Sequence, residues 1–166
     1  MLPANLTPLE VLDLGIHSET LAFRMYDALA KRVHVPRLQI RLSQLKKDEK
    51  EHRKTLRAHR RELFPDAEVT ISEDEARRIF GGVDPKAIRD RESLIQVLYG
   101  AIRFEEYAAY FYEKIQYKMP NREARIFMEV LADEGRTHAE ILKQQVDSLR
   151  SIAVTVDEKG RAVEAY

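Results

Sequence analysis

Two short strings in this 166-residue chain carry residue types that could do chemistry. Glu49-Lys50-Glu51-His52 sets a carboxylate three residues before an imidazole, and Gly135-Arg136-Thr137-His138 repeats the spacing with glycine in the acid's place. On a helix, residues three apart share one face about one turn apart. Glu19 and Glu105 add two carboxylates, each set in a stripe of Leu, Ala and Tyr at helical spacing. A buried, unpaired carboxylate is costly, and three side by side repel one another. A divalent metal between them removes both problems. Glu19, Glu49, His52, Glu105 and His138 are therefore the candidate metal ligands. A single Glu on such a stripe is explained by a side chain that snorkels to water, and a single His by a core hydrogen bond. Three Glu and two His aligned together are better explained by metal.

The alignment comes from an internal repeat. Glu19 and Glu105, Ala22 and Ala108, Tyr26 and Tyr112, Leu45 and Leu131, His52 and His138, and Leu56 and Leu142 all stand 86 positions apart. One offset serves all six pairs, so the second half of the chain copies the first. Position 135 is then the partner of Glu49. A glycine inside a helix costs about 1 kcal/mol relative to alanine, so Gly135 needs a reason. The expectation is that it marks the emptied place of a carboxylate matching Glu49, which leaves the metal site open to a small anion, or else single-metal or lapsed. A π-bulge bringing in Glu134 is disfavoured, because the offset is kept on both sides. Asp133 and Glu134 are expected to point away from the centre.

Four long helices must position these groups. Apolar stripes run from Leu12 to Val33, Leu38 to Leu63, Leu94 to Ile115 and Ala124 to Leu149 with steps of three and four, the period of a bundle seam. Val35-Pro36 and Pro120-Asn121 mark short turns, so the helices form two antiparallel hairpins, with Asn121 as an N-cap. The crossover from about Pro65 to Asp90 is too long for a simple turn. Ser72-Glu73-Asp74-Glu75 reads there as a capping box opening a short helix that ends at Gly81. The bundle domain is placed at residues 1–150, with 151–166 a tail or small hairpin turning at Lys159-Gly160. His59 lies two turns beyond His52, too far for the same centre; His17 and His34 read as surface groups.

Composition bounds the remaining functions. The chain is 44% hydrophobic and 34% charged, with equal numbers of acidic and basic residues, which suits a soluble helical domain. No basic field for nucleic acid is implied, and no apolar run is long enough for a membrane. The cytoplasm is the expected compartment. There is no cysteine, so thiolate metal sites and iron–sulfur clusters within this chain are excluded. Aromatic residues spread around the third bundle helix (Tyr107, Tyr110, Phe111, Tyr117) lead to the expectation of a homodimer with that helix near the interface.

The set Glu19-x-x-Ala22-x-x-x-Tyr26, Glu49-x-x-His52, Glu105-x-x-Ala108-x-x-x-Tyr112 and His138 resembles the rubrerythrin branch of the ferritin-like proteins, over about residues 9–150. The resemblance implies an all-α, ferritin-like four-helix bundle holding two metal ions, iron first, with manganese or zinc as alternatives. It implies Glu19 and Glu105 as terminal carboxylates, Glu49 as the bridge, and one imidazole on each metal. The implied function is an oxidoreductase acting on peroxide or dioxygen with an external electron donor. The alternative is a non-catalytic module that binds, oxidises or stores iron. Two departures stand out: no cysteine-bearing rubredoxin segment is present, and Gly135 takes the place of the second bridging Glu.

Overall fold

The computed structural model describes residues 1–165; the final residue of the predicted tail lies outside the described residues. Four long helices, α1 (Pro8–Arg32), α2 (Pro36–Leu63), α4 (Arg91–Ile115) and α5 (Arg122–Leu149), form the bundle, and α3 (Glu73–Phe80) lies on the crossover. The third and fourth bundle helices of the sequence reading are thus α4 and α5. The helix ends follow local chemistry. Thr7 and Glu10 close a capping box on α1, and Asn121 Oδ1 accepts from Ala124 N at 2.9 Å to start α5. Ser72 and Glu75 cap α3, which stops at Gly81 with φ +77°, a backbone region that suits glycine.

α1 packs chiefly on α2 and α4 chiefly on α5, while contact between the hairpins is sparser. The core is made by the predicted stripes: Leu12, Tyr26, Leu29, Leu38, Leu42, Leu45, Leu56, Leu94, Leu98, Tyr112, Met128 and Leu142 are almost wholly buried. Each such leucine contributes about 2 kcal/mol of apolar burial. Phe80 on α3 lies against Phe104, Tyr107 and Phe111 of α4, with ring centroids 6.0, 5.9 and 5.4 Å apart. Phe111 is fully buried as a result. The crossover helix thus covers much of the aromatic face that the sequence offered to a second subunit. Tyr110 and Tyr117 stay exposed.

The tail forms a hairpin of β2 (Val154–Val156) and β3 (Ala162–Glu164), turning at Gly160. β3 also pairs in parallel with β1 (Val33–His34), a two-residue strand in the turn between α1 and α2. The sequence reading took that turn as a simple connection; only the remote strand makes it part of a sheet. Among the described residues, no helix is long and apolar enough to cross a membrane.

Candidate metal centre

Glu19 of α1, Glu49 and His52 of α2, Glu105 of α4 and His138 of α5 meet in one buried cluster. Their ligand atoms form two triads, Glu19–Glu49–His52 and Glu49–Glu105–His138, each with all its atoms within 4.8 Å of one another. Glu49 belongs to both. His52 Nδ1 lies 3.1 Å from Glu19 and 3.3 Å from Glu49, and His138 Nδ1 lies 2.9 Å from Glu49 and 3.5 Å from Glu105. Both imidazoles therefore aim Nδ1 inward. The two rings stand 5.9 Å apart and nearly parallel, at 17°.

Two tyrosines hold the outer carboxylates. Tyr26 of α1 donates to Glu105 of α4, and Tyr112 of α4 donates to Glu19 of α1. Each bond crosses from one half of the repeat to the other. Tyr26 and Tyr112 are the largest fully buried side chains, and their hydroxyls need these partners in a dry site. The sequence alone left open whether they support the carboxylates or only fill the core.

The electrostatics is that of a cation site. Burial raises the Glu49 carboxyl far above its usual range, and the charges of Glu19 and Glu105 raise it further. Burial also acts to lower both imidazoles, but the facing carboxylates outweigh it and push His52 and His138 up to about 11. Protons can thus supply part of the positive charge that the cluster calls for. Glu49 Oε1 is buried and has no aligned hydrogen-bond donor, although His138 Nδ1 is close by. An orphaned carboxylate oxygen between two Glu/His triads fits a bridging ligand to two cations, and the mixed carboxylate–imidazole donors suit iron, manganese or zinc.

Two further acids were missed. Glu134 contacts Nε2 of His52, and Asp48 Oδ2 lies 3.3 Å from Nε2 of His138. The expectation that Glu134 points away from the centre is corrected here. α5 is continuous through residues 133–137 without a bulge, and Glu134 does leave the seam, but its side chain reaches across to α2. The signal was available: Asp48 and Glu134 are themselves an acid pair at the repeat offset.

Gly135 also has a packing reason that the sequence does not show. A Cβ built on it would stand 3.1 Å from Ala109 Cβ and 3.3 Å from the carbonyl oxygen of Glu105. The glycine lets α5 come down on α4 at the level of the cluster. His59 stays out of the cluster, its ring 5.5 Å from Phe127. His17 is not a free surface group, since its Nε2 lies 2.8 Å from the carbonyl of Ile71 on the crossover.

Comparison with known proteins gives the same answer as the geometry. No curated protein sequence matches the chain. A structure of a hypothetical protein from Pyrococcus furiosus is similar, at 27% identity and a TM-score of 0.78, over 87% of this chain and 90% of that one. The model of the Rubrerythrin family matches residues 10–146, from the first turn of α1 to the last turn of α5, and includes all five clustered residues. The chain belongs to the rubrerythrin family.

Proposed function

We propose that the protein holds two metal ions, iron first, and works as an oxidoreductase on peroxide or dioxygen with electrons from a separate donor. The observation that carries this reading is Glu49: one buried carboxylate shared by two Glu/His triads, with one oxygen left without a donor. Glu19 and His52 would hold one ion, Glu105 and His138 the other, and Glu49 both. Iron there would supply two electrons to split the O–O bond of hydrogen peroxide, which takes up two protons and leaves as two waters.

The chain's own residues do the positioning. Tyr26 and Tyr112 anchor Glu105 and Glu19 from the side opposite the histidines. The apolar seam above and below, with Leu45, Leu56, Leu131 and Leu142 buried, keeps bulk water out. Two divalent ions among three carboxylates leave positive charge, which favours an anionic small ligand. With no cysteine in the chain, an iron–sulfur relay must come from another molecule. We also propose that the chain pairs with a second copy through the surface at the C-terminal end of α4, where Tyr110 on the helix and Tyr117 in the turn after it are both exposed.

The deciding experiment is metal analysis of protein purified without chelator, followed by peroxide consumption with an added reductant. Two irons per chain with turnover are expected. Bound iron without turnover selects the binding or storage role, and protein that takes up no metal overturns the proposal.

A further inference from the structure

We infer that Asp48 and Glu134 are positioning residues, each acting across the bundle to aim the histidine of the opposite hairpin at the metal centre. The inference rests on the metal reading above. Its starting point is the crossing of the pairs. Asp48 on α2 faces His138 on α5, and Glu134 on α5 faces His52 on α2. Neither acid serves the histidine of its own helix.

Both acids meet Nε2, the nitrogen on the far side of the ring from the cluster. A carboxylate can only accept, so its partner nitrogen must be the one that carries hydrogen. In a neutral imidazole that leaves the lone pair on Nδ1. Nδ1 is the nitrogen that both rings turn toward Glu49. The acids thus select the tautomer able to bind a cation and fix the ring plane.

Exposure supports a directed role. The Glu134 and Asp48 side chains are 45% and 52% exposed, so each could extend into water. Both instead turn to a buried ring. The two hairpins touch each other far less than the helices within each hairpin do, and the two crossed acid–histidine pairs both span that sparser α2–α5 seam. The histidines and these acids form the α2–α5 side of the cluster, while the buried Tyr26 and Tyr112 close the α1–α4 side. The pairing obeys the repeat as well: 48 and 134 stand at the same offset as 52 and 138.

A different role would be a general field that draws cations to the seam. The two are separated by which histidine each acid depends on. Cobalt(II), which reports its own coordination by visible absorption, is titrated into the full chain and its variants. Glu134→Ala is expected to weaken cobalt binding about 10- to 100-fold, the usual effect of removing a carboxylate that supports a ligating histidine. That loss should vanish in a His52→Ala background and persist in His138→Ala. Asp48→Ala should show the reverse dependence. Glu134→Gln keeps an acceptor oxygen without charge and should recover most of the affinity and the wild-type absorption. Losses that ignore which histidine is present, or Glu134→Gln as weak as Glu134→Ala, overturn the inference. Where an alanine variant of a histidine does not fold, glutamine replaces it. If the wild-type chain binds no cobalt, the metal reading fails by itself. Thermal midpoints of the chelated proteins in the same crossed cycles then decide: coupling of 134 with 52 and not with 138 supports the pairing, and no coupling overturns it.

Discussion

Gly135 of α5 sits so close to Ala109 of α4 that a Cβ added to the glycine would lie 3.1 Å from the alanine's own. The neighbours there are a Cβ and a backbone carbonyl, which cannot swing aside as a long side chain would. Gly135→Ala gains up to about 1 kcal/mol of helix propensity but must push two helices apart, and overpacking of this kind costs about 1–3 kcal/mol. A net loss of stability is expected. In a denaturant double-mutant cycle, Ala109→Gly should relieve part of it, and strict additivity would rule out the close contact. Gly135→Glu should not raise metal content, contrary to what the sequence pattern alone implies.

Tyr26→Phe and Tyr112→Phe should behave alike. Each removes the donor to a buried carboxylate on the opposite half. A loss of roughly 1–3 kcal/mol is expected for either, as for other buried acceptors left without a partner. Urea midpoints of the two variants check this. A large loss for one and none for the other would contradict the twofold arrangement.

Stability should fall in acid through Asp13. Its carboxylate is almost wholly buried and is held by Arg60 and by the Thr70 amide at 2.7 Å and hydroxyl at 2.8 Å. Burial alone would raise its pKa, but these bonds outweigh it and hold the folded value below the usual 3.8. A depressed folded value means stabilisation that is full above the unfolded pKa of about 3.9 and disappears as the pH drops through the folded one. The stability difference between wild type and Asp13→Asn should therefore shrink below about pH 4. A constant difference from pH 7 to pH 3 would show that Asp13 is not the group responsible.

Metal loading should release protons. The carboxylates hold both imidazoles near 11, so at neutral pH a cation must displace a proton from each ring, and apparent affinity should climb with pH across the neutral range. Calorimetric titration in buffers of different ionisation enthalpy counts the protons. Chelation should lower the melting temperature, because the carboxylates then lose a stabilising ligand. Uptake with no proton release would mean that the histidines do not ligate.

Light scattering at micromolar concentration should give twice the chain mass, and Tyr117→Ser should shift the chain toward monomer. A wild-type monomer would refute pairing through α4.

Much of the molecule was legible because the chain repeats itself. The four stripes and the five clustered residues lie on the seam, where period and offset can be counted. What could not be read depends on reach between helices. Glu134 leaves the seam, and only the length of its side chain brings it to His52. Gly135 answers to Ala109, a residue of another helix, through a backbone approach that no single stripe encodes. Part of the aromatic face of α4 that the sequence offers to a partner is covered instead by Phe80, on a crossover with no counterpart in the repeat.

The pairing of β3 with β1 has a consequence for the order in which the chain can close. Val33 bonds in register with Ala162, and His34 with Val163. The helical hairpins are local and can zip early, but this strand pair joins residues from opposite ends of the sequence, whose closure carries the entropy of a very long loop. The turn that completes the first hairpin is thus expected to be sealed only after the second hairpin is in place. The corresponding turn of the second half, a 3₁₀ turn at Gln116–Lys118, has no strand to wait for. Two halves with matching ligand positions should therefore differ in kinetics: amide protons of residues 33–34 are expected to exchange at the rate of the tail, as one late-closing unit, rather than at that of the helices on either side.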